Sequence, residues 1–200
     1  MEPLLQGLAA GFAIAIPVGP IAVLIVDRGV KRGFRDAAMA GLGAAGADLT
    51  YATLAATLGA VVASLVRPAL TPLRVVAIVA LVSIAVWNLR ALLAGRNSDE
   101  LPDASGRRTF VTFLGLTLLN PVTVIYFASL IVGLDLSRAS AVDRAIFVGA
   151  AFLASASWQL FLAASAALAG TRLGPRTRAA TTVLGSVVIL GFALKMAISF

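Results

Sequence analysis

Apolar residues dominate six long runs of the chain, roughly Leu4–Val26, Ala37–Val66, Leu73–Ala94, Phe110–Leu134, Ala145–Gly170 and Ala179–Phe200. A helix needs about 20 mostly apolar residues to cross the hydrocarbon core of a bilayer. The pattern therefore predicts an all-α integral membrane bundle of six transmembrane helices. The second run is long enough to tilt. The longest polar stretch, Gly95 to Thr109, holds Asn97, Ser98, Asp99, Glu100, Pro102 and Asp103 and reads as a linker. It divides the chain into a three-helix repeat over 1–94, a cytoplasmic linker over 95–109 and a second three-helix repeat over 110–200, all within one membrane domain.

Composition strengthens this picture. Of the 200 residues, 60% are hydrophobic and 12% charged, with a mean hydropathy of +0.99, against about 25% charged in a soluble domain. The sequence has no cysteine and no histidine, which removes disulfides, Cys/His metal sites and Ser-His-Asp or Cys-His catalysis together. No cofactor, metal or enzyme activity is expected. The net charge of +7 does not imply nucleic acid, because the basic residues sit in short loops where they act as topology signals and contact anionic lipid. Arg28, Lys31, Arg32 and Arg35 fill the first loop, Arg90, Arg96, Arg107 and Arg108 the third, and Arg172, Arg176 and Arg178 the fifth. The second and fourth hold only Arg67, Arg74, Arg138 and Arg144. Loops rich in Lys and Arg stay in the cytoplasm, so both termini are expected outside. The Met-Glu-Pro start has no basic residue before the first apolar run, which reads as a retained helix rather than a signal peptide.

The two halves resemble each other weakly. Aligning Pro20 with Pro121 also aligns Phe12 with Phe113. Each half has an odd number of helices, so a shared fold would make them a 3+3 inverted repeat. Matched interruptions in such repeats are the best sequence pointer to a transporter's central site. Proline lacks a backbone N–H and opens a helix. Pro17, Gly19 and Pro20 in helix one, and Asn120 and Pro121 in helix four, would free polar groups that must face protein or a watery cavity. A kink that only shapes packing is the plain alternative.

Of the nine acids, only Asp48 lies well inside an expected span. A charge at the bilayer centre costs about 2.5–3.5 kcal/mol on insertion scales, and such residues mark solute or proton paths. The alternative is a structural Asp bonded to backbone or to Asn120. Gly41, Ala44, Ala45 and Asp48 share one helical face and predict a close seam. Tyr51, three residues on, is expected to hydrogen bond near Asp48. The counterpart stretch Gly149 to Gln159 carries Ser155, Ser157, Trp158 and Gln159 but no acid. Gln159 should face the interior and Trp158 should wall a cavity, whereas Trp87 reads as an interface anchor.

At these residues the chain resembles the LysE/RhtB family of amino-acid exporters. The matching features are Pro17-Val18-Gly19-Pro20, the following loop with Gly29 and Gly33, the Gly-rich approach to Asp48, the pair Asn120-Pro121 and a Trp in helix five. The resemblance implies a six-helix inverted repeat that exports amino acids or related metabolites through the bacterial cytoplasmic (inner) membrane, driven by the proton gradient. It implies that both breaks and Asp48 line the path. Many relatives follow Asn-Pro with Lys, and the branch exporting lysine and arginine has a further acid there. This chain has Val122 and Thr123, which favours neutral amino acids.

The reading is thus a proton-coupled amino-acid antiporter, with Pro17, Gly19, Pro20, Asp48, Tyr51, Asn120, Pro121, Trp158 and Gln159 in its translocation site and Asp48 as the coupling group. Its expected partners are a small amino acid and membrane lipids, and small-residue seams permit a homodimer. Two alternatives stand beside it: an inorganic ion exporter on a similar fold, for which a single carboxylate is a thin site, and a non-transporting membrane subunit. A lipid-modifying enzyme would need clustered acids, His or Cys near the interface.

Overall fold

The computed structural model describes residues 2–17, 19–93, 106–120, 123–127, 139–172 and 174–198, and its ordered elements are helices, with no strand among the described residues. They are α1 (Glu2–Ala15), α2 (Pro20–Arg32), α3 (Phe34–Leu93), α4 (Gly106–Leu118), α5 (Ala141–Arg172) and α6 (Pro175–Ile198), with a helical turn over 123–127.

The first apolar run is two helices, bent by 74°. The break follows from proline chemistry. Pro17 cannot donate to the Ala13 carbonyl, nor Pro20 to the Ile16 carbonyl. The helix restarts where Pro20 takes the first position, at which its missing N–H costs nothing. Gly19 caps it in an extended conformation, φ −117° and ψ −175°. α2 then runs beyond the expected end at Val26, to Arg32.

The second and third runs differ from expectation. In place of two helices separated near Arg67–Pro72, one helical stretch of 60 residues, α3, covers both. It cannot be straight, since straight geometry would place residues 36 and 84 about 70 Å apart. Yet Arg28 of α2 donates to Asp36 at 2.8 Å, and the same turn of α2 shares a cleft with Ser83, Ile84 and Trp87. α3 therefore doubles back between Ala56 and Ile78, the stretch that holds Pro68 and Pro72. Residues 34–57 form its outgoing limb and 78–93 its return limb. α4 begins at Gly106, inside the stretch expected to be linker, because Thr109 is buried and donates to Asp36 at 2.7 Å. The expected linker's other residues, 95–105, lie outside the described ones.

Close backbone approaches fix how the helices run. Gly7 faces Phe147 and Ala150, and Gly11 faces Ala151 and Ala154. Gly29 faces Ala166, and Gly170 lies against Val30. α1 and then α2 thus run parallel to α5. Gly43 packs on Phe110 and Tyr51 reaches Leu118, so α4 runs parallel to the outgoing limb of α3. Gly41 meets Gln159 and Asp48 meets Ser155, so these two pairs of helices are antiparallel. Small residues permit these approaches where van der Waals packing, not water, drives association. The seam expected around Gly41 and Ala44 is formed inside the chain, where α3 meets α5. Two clusters complete the core. One joins Leu24, Ile25, Ala40, Leu81, Phe113 and Ile189. The other joins Ala10, Ala52, Ala56, Phe127, Phe147 and Ala151.

α5 is long and apolar enough to cross a membrane, and α1 with α2 qualifies as one broken span.

Candidate functional site

Asp48 sits midway along the outgoing limb of α3 and is 4% exposed. Ser155 of α5, fully buried, donates to its Oδ2 at 2.6 Å. Charge-assisted O–H···O bonds have this length. The other carboxylate oxygen, Oδ1, is buried and has no hydrogen-bond partner. An orphaned buried acceptor is costly and calls for an explanation. One turn further along α5, Gln159 is buried beside Gly41, where a Cβ would come within 2.9 Å of the glutamine Cβ. The Gln159 Oε1 is also buried and unpaired. Two unpaired acceptors thus lie along one α3–α5 seam, a set that suits a donor-rich cation such as an ammonium. Neither backbone nor Asn120 holds the Asp48 carboxylate.

Tyr51 does not bond Asp48. Its side chain is long enough to carry the hydroxyl past the carboxylate to α4, where it donates to the Leu118 carbonyl. That carbonyl ends a helix, where C=O groups lack intrahelical donors. The second break is completed by its own backbone. The Asn120 N–H donates to the Thr117 carbonyl at 3.1 Å, and the Asn120 carbonyl accepts from Val124 at 3.2 Å. Pro121 lies outside the described residues. Beyond it, Tyr126 donates to the Ala10 carbonyl of α1 at 2.8 Å. Phe127 stacks on Tyr51, with ring centroids 5.7 Å apart, and meets Tyr126 edge-on at 5.4 Å. Aromatic side chains thereby pin the second break to α1 and to the turn of α3 just beyond Asp48.

The structure thus brings Asp48 and Gln159 to one α3–α5 seam, and Tyr51, one turn beyond Asp48, reaches the end of α4 two residues before Asn120. The break from Pro17 to Pro20 begins three residues beyond Ile14, which packs in the same cluster as Tyr51 and Tyr126. Trp158 turns to Phe161 of its own helix, centroids 5.4 Å apart, and its indole N–H is buried and unpaired. Three contributors were not among the expected site residues: Ser155, Tyr126 and Phe127. Ser155 was visible only as one of several mid-span polar residues. Tyr126 and Phe127 carry a readable signal, an aromatic pair just after a Pro break. Among the described residues, no three acidic, histidine or cysteine side chains converge to hold a metal.

A model of the LysE type translocator family matches residues 12–199. No curated protein and no solved structure matches the chain.

Proposed function

The chain belongs to the LysE type translocator family, membrane transporters rather than enzymes, and from that premise we propose that it exports amino acids or related small metabolites across the bacterial cytoplasmic (inner) membrane. The observation that carries this reading is the Asp48–Ser155 contact, a carboxylate deep inside the bundle with one oxygen unpaired. The substrate's ammonium would occupy that oxygen and Gln159. Its carboxylate would take backbone donors near Gly19 and the Asn120 amide. A carboxyl on such a path can also exchange a proton, which would couple export to the proton gradient. Neutral amino acids suit it best, since a cationic side chain would find no second acid nearby in the sequence after Asn120.

The proposed frame is six spans in two inverted halves, with both termini outside. Two features support it. The doubling back of α3 supplies two antiparallel limbs. The parallel pairings of α1–α2 with α5, and of outgoing α3 with α4, are those that alternating spans one, five, two and four would have. Opposed broken helices around a fixed site are the parts from which alternating access is built.

Efflux from proteoliposomes loaded with a labelled amino-acid mixture tests the proposal. It predicts loss of particular neutral amino acids, faster with an imposed pH gradient than without. Retention of every amino acid by folded protein would refute it.

A further inference from the structure

A second polar site lies away from Asp48, at the basic end of α2. The last turns of α2 and the return limb of α3 enclose a cleft of about 310 Å³, lined by Asp27, Arg28, Lys31 and Arg32 on one wall and by Ile84 and Trp87 on the other. Its charges are partly spent. Lys31 bonds Asp27 at 2.8 Å and Arg28 bonds Asp36 at 2.8 Å. Arg32 has no acidic partner among the described residues. The five groups carry a net charge of +1, which matches the single negative charge of a phosphodiester.

A mostly apolar row, interrupted by Ser83, continues out of the cleft. Trp87, Ser83, Val79 and Val75 follow one another at four-residue spacing, so they form a single row along α3. All four are exposed, Trp87 at 61% and Val79 at 60%. The row is about 18 Å long, close to the ~15 Å depth of one hydrocarbon leaflet. Trp is the residue favoured where headgroups meet hydrocarbon. A charged pocket thus opens at one end of a mostly apolar track, with Val79 and Val75 at its far end. Basic pockets between transmembrane helices hold anionic head groups by the same charge pairing.

We infer that this cleft binds the phosphodiester of an anionic membrane phospholipid, with Arg32 as its main contact and an acyl chain along Val79 and Val75. The inference requires only that the chain lies in a membrane, and it stands whichever solute is carried at Asp48.

Quenching by brominated lipids tests it. Trp87 and Trp158 are the two tryptophans, so Trp158→Phe leaves Trp87 as the sole tryptophan, excited selectively at wavelengths that the two tyrosines do not absorb. In the full chain reconstituted in phosphatidylcholine, brominated phosphatidylglycerol should quench Trp87 at about one-fifth the mole fraction that brominated phosphatidylcholine requires, the weight of one basic residue at a membrane surface. Arg32→Gln should abolish that preference, whereas Arg32→Lys and Arg35→Gln, the latter on α3 outside the cleft, should keep it. Equal quenching by both lipids without any Arg32 change would overturn the proposal. So would equal losses in Arg32→Gln and Arg35→Gln, which would reveal unspecific surface charge. Relief of the preference by millimolar inorganic phosphate would assign the cleft to a soluble anion instead.

Discussion

Asp48→Asn should reduce gradient-driven amino-acid efflux to the leak of protein-free vesicles while leaving the protein folded. Asparagine has almost the shape of aspartate, and its Oδ1 can still accept the Ser155 hydroxyl proton. The α3–α5 contact at 2.6 Å is therefore retained. Two properties disappear: the negative charge that would attract an ammonium, and the ability to take up and release a proton. Ser155→Ala is the informative partner. It keeps both properties but removes one donor from a buried carboxylate, a loss of about 1.5–3 kcal/mol in general. It should slow efflux by about tenfold and lower thermal stability as well. A full rate from Asp48→Asn would assign the carboxylate to packing.

The second large effect is structural. Gly11→Val should unseat α1 from α5. A Cβ at Gly11 would overlap the Ala151 carbonyl oxygen, and one at Gly7 would overlap that of Phe147. Both obstacles are backbone atoms and cannot turn aside as a side-chain end could. Overpacking commonly costs about 1–3 kcal/mol, and an overlap with backbone stands at the upper end. The first break hangs on α1, so Gly11→Val should lose transport along with stability. Gly149→Ala is the contrast on the opposing helix, since a Cβ there meets nothing within 4 Å. It should hold or raise stability, because alanine favours a helix over glycine by about 1 kcal/mol. The unfolding temperature of each variant, followed by size-exclusion chromatography after heating, separates the two outcomes.

What could be read from the sequence is what local chemistry decides. Proline has no N–H in any context, so the interruption at Pro17 and Pro20 was legible. A carboxylate in a run of alanine and glycine carries a cost in any membrane fold, so Asp48 was legible as an interior residue. Its partner was not, because Ser155 lies 107 positions away and the register of α3 on α5 is set by packing along the whole seam. Tyr51 shows the same limit: helical spacing put it beside Asp48, but the length of its side chain and the open carbonyl of Leu118 decided where its hydroxyl went. Arg67 and Arg74 marked a loop between the second and third apolar runs, but not that the helical stretch continues through it. Gly7 and Gly11, four apart, form a small-residue pair of the type that lets helices approach closely. Their signal was present in the sequence but submerged in a run already rich in alanine and glycine.

Whether the Asp48–Ser155 contact lies on a path opening alternately to each side is decided by the accessibility of position 155. The chain contains no cysteine, so Ser155→Cys places a single thiol against Asp48. In proteoliposomes of one orientation, a membrane-impermeant thiol reagent should label it when added outside, and again when trapped inside, with the carried amino acid slowing both reactions. A thiol in folded protein that reacts from neither side, or from one side only, would contradict the account.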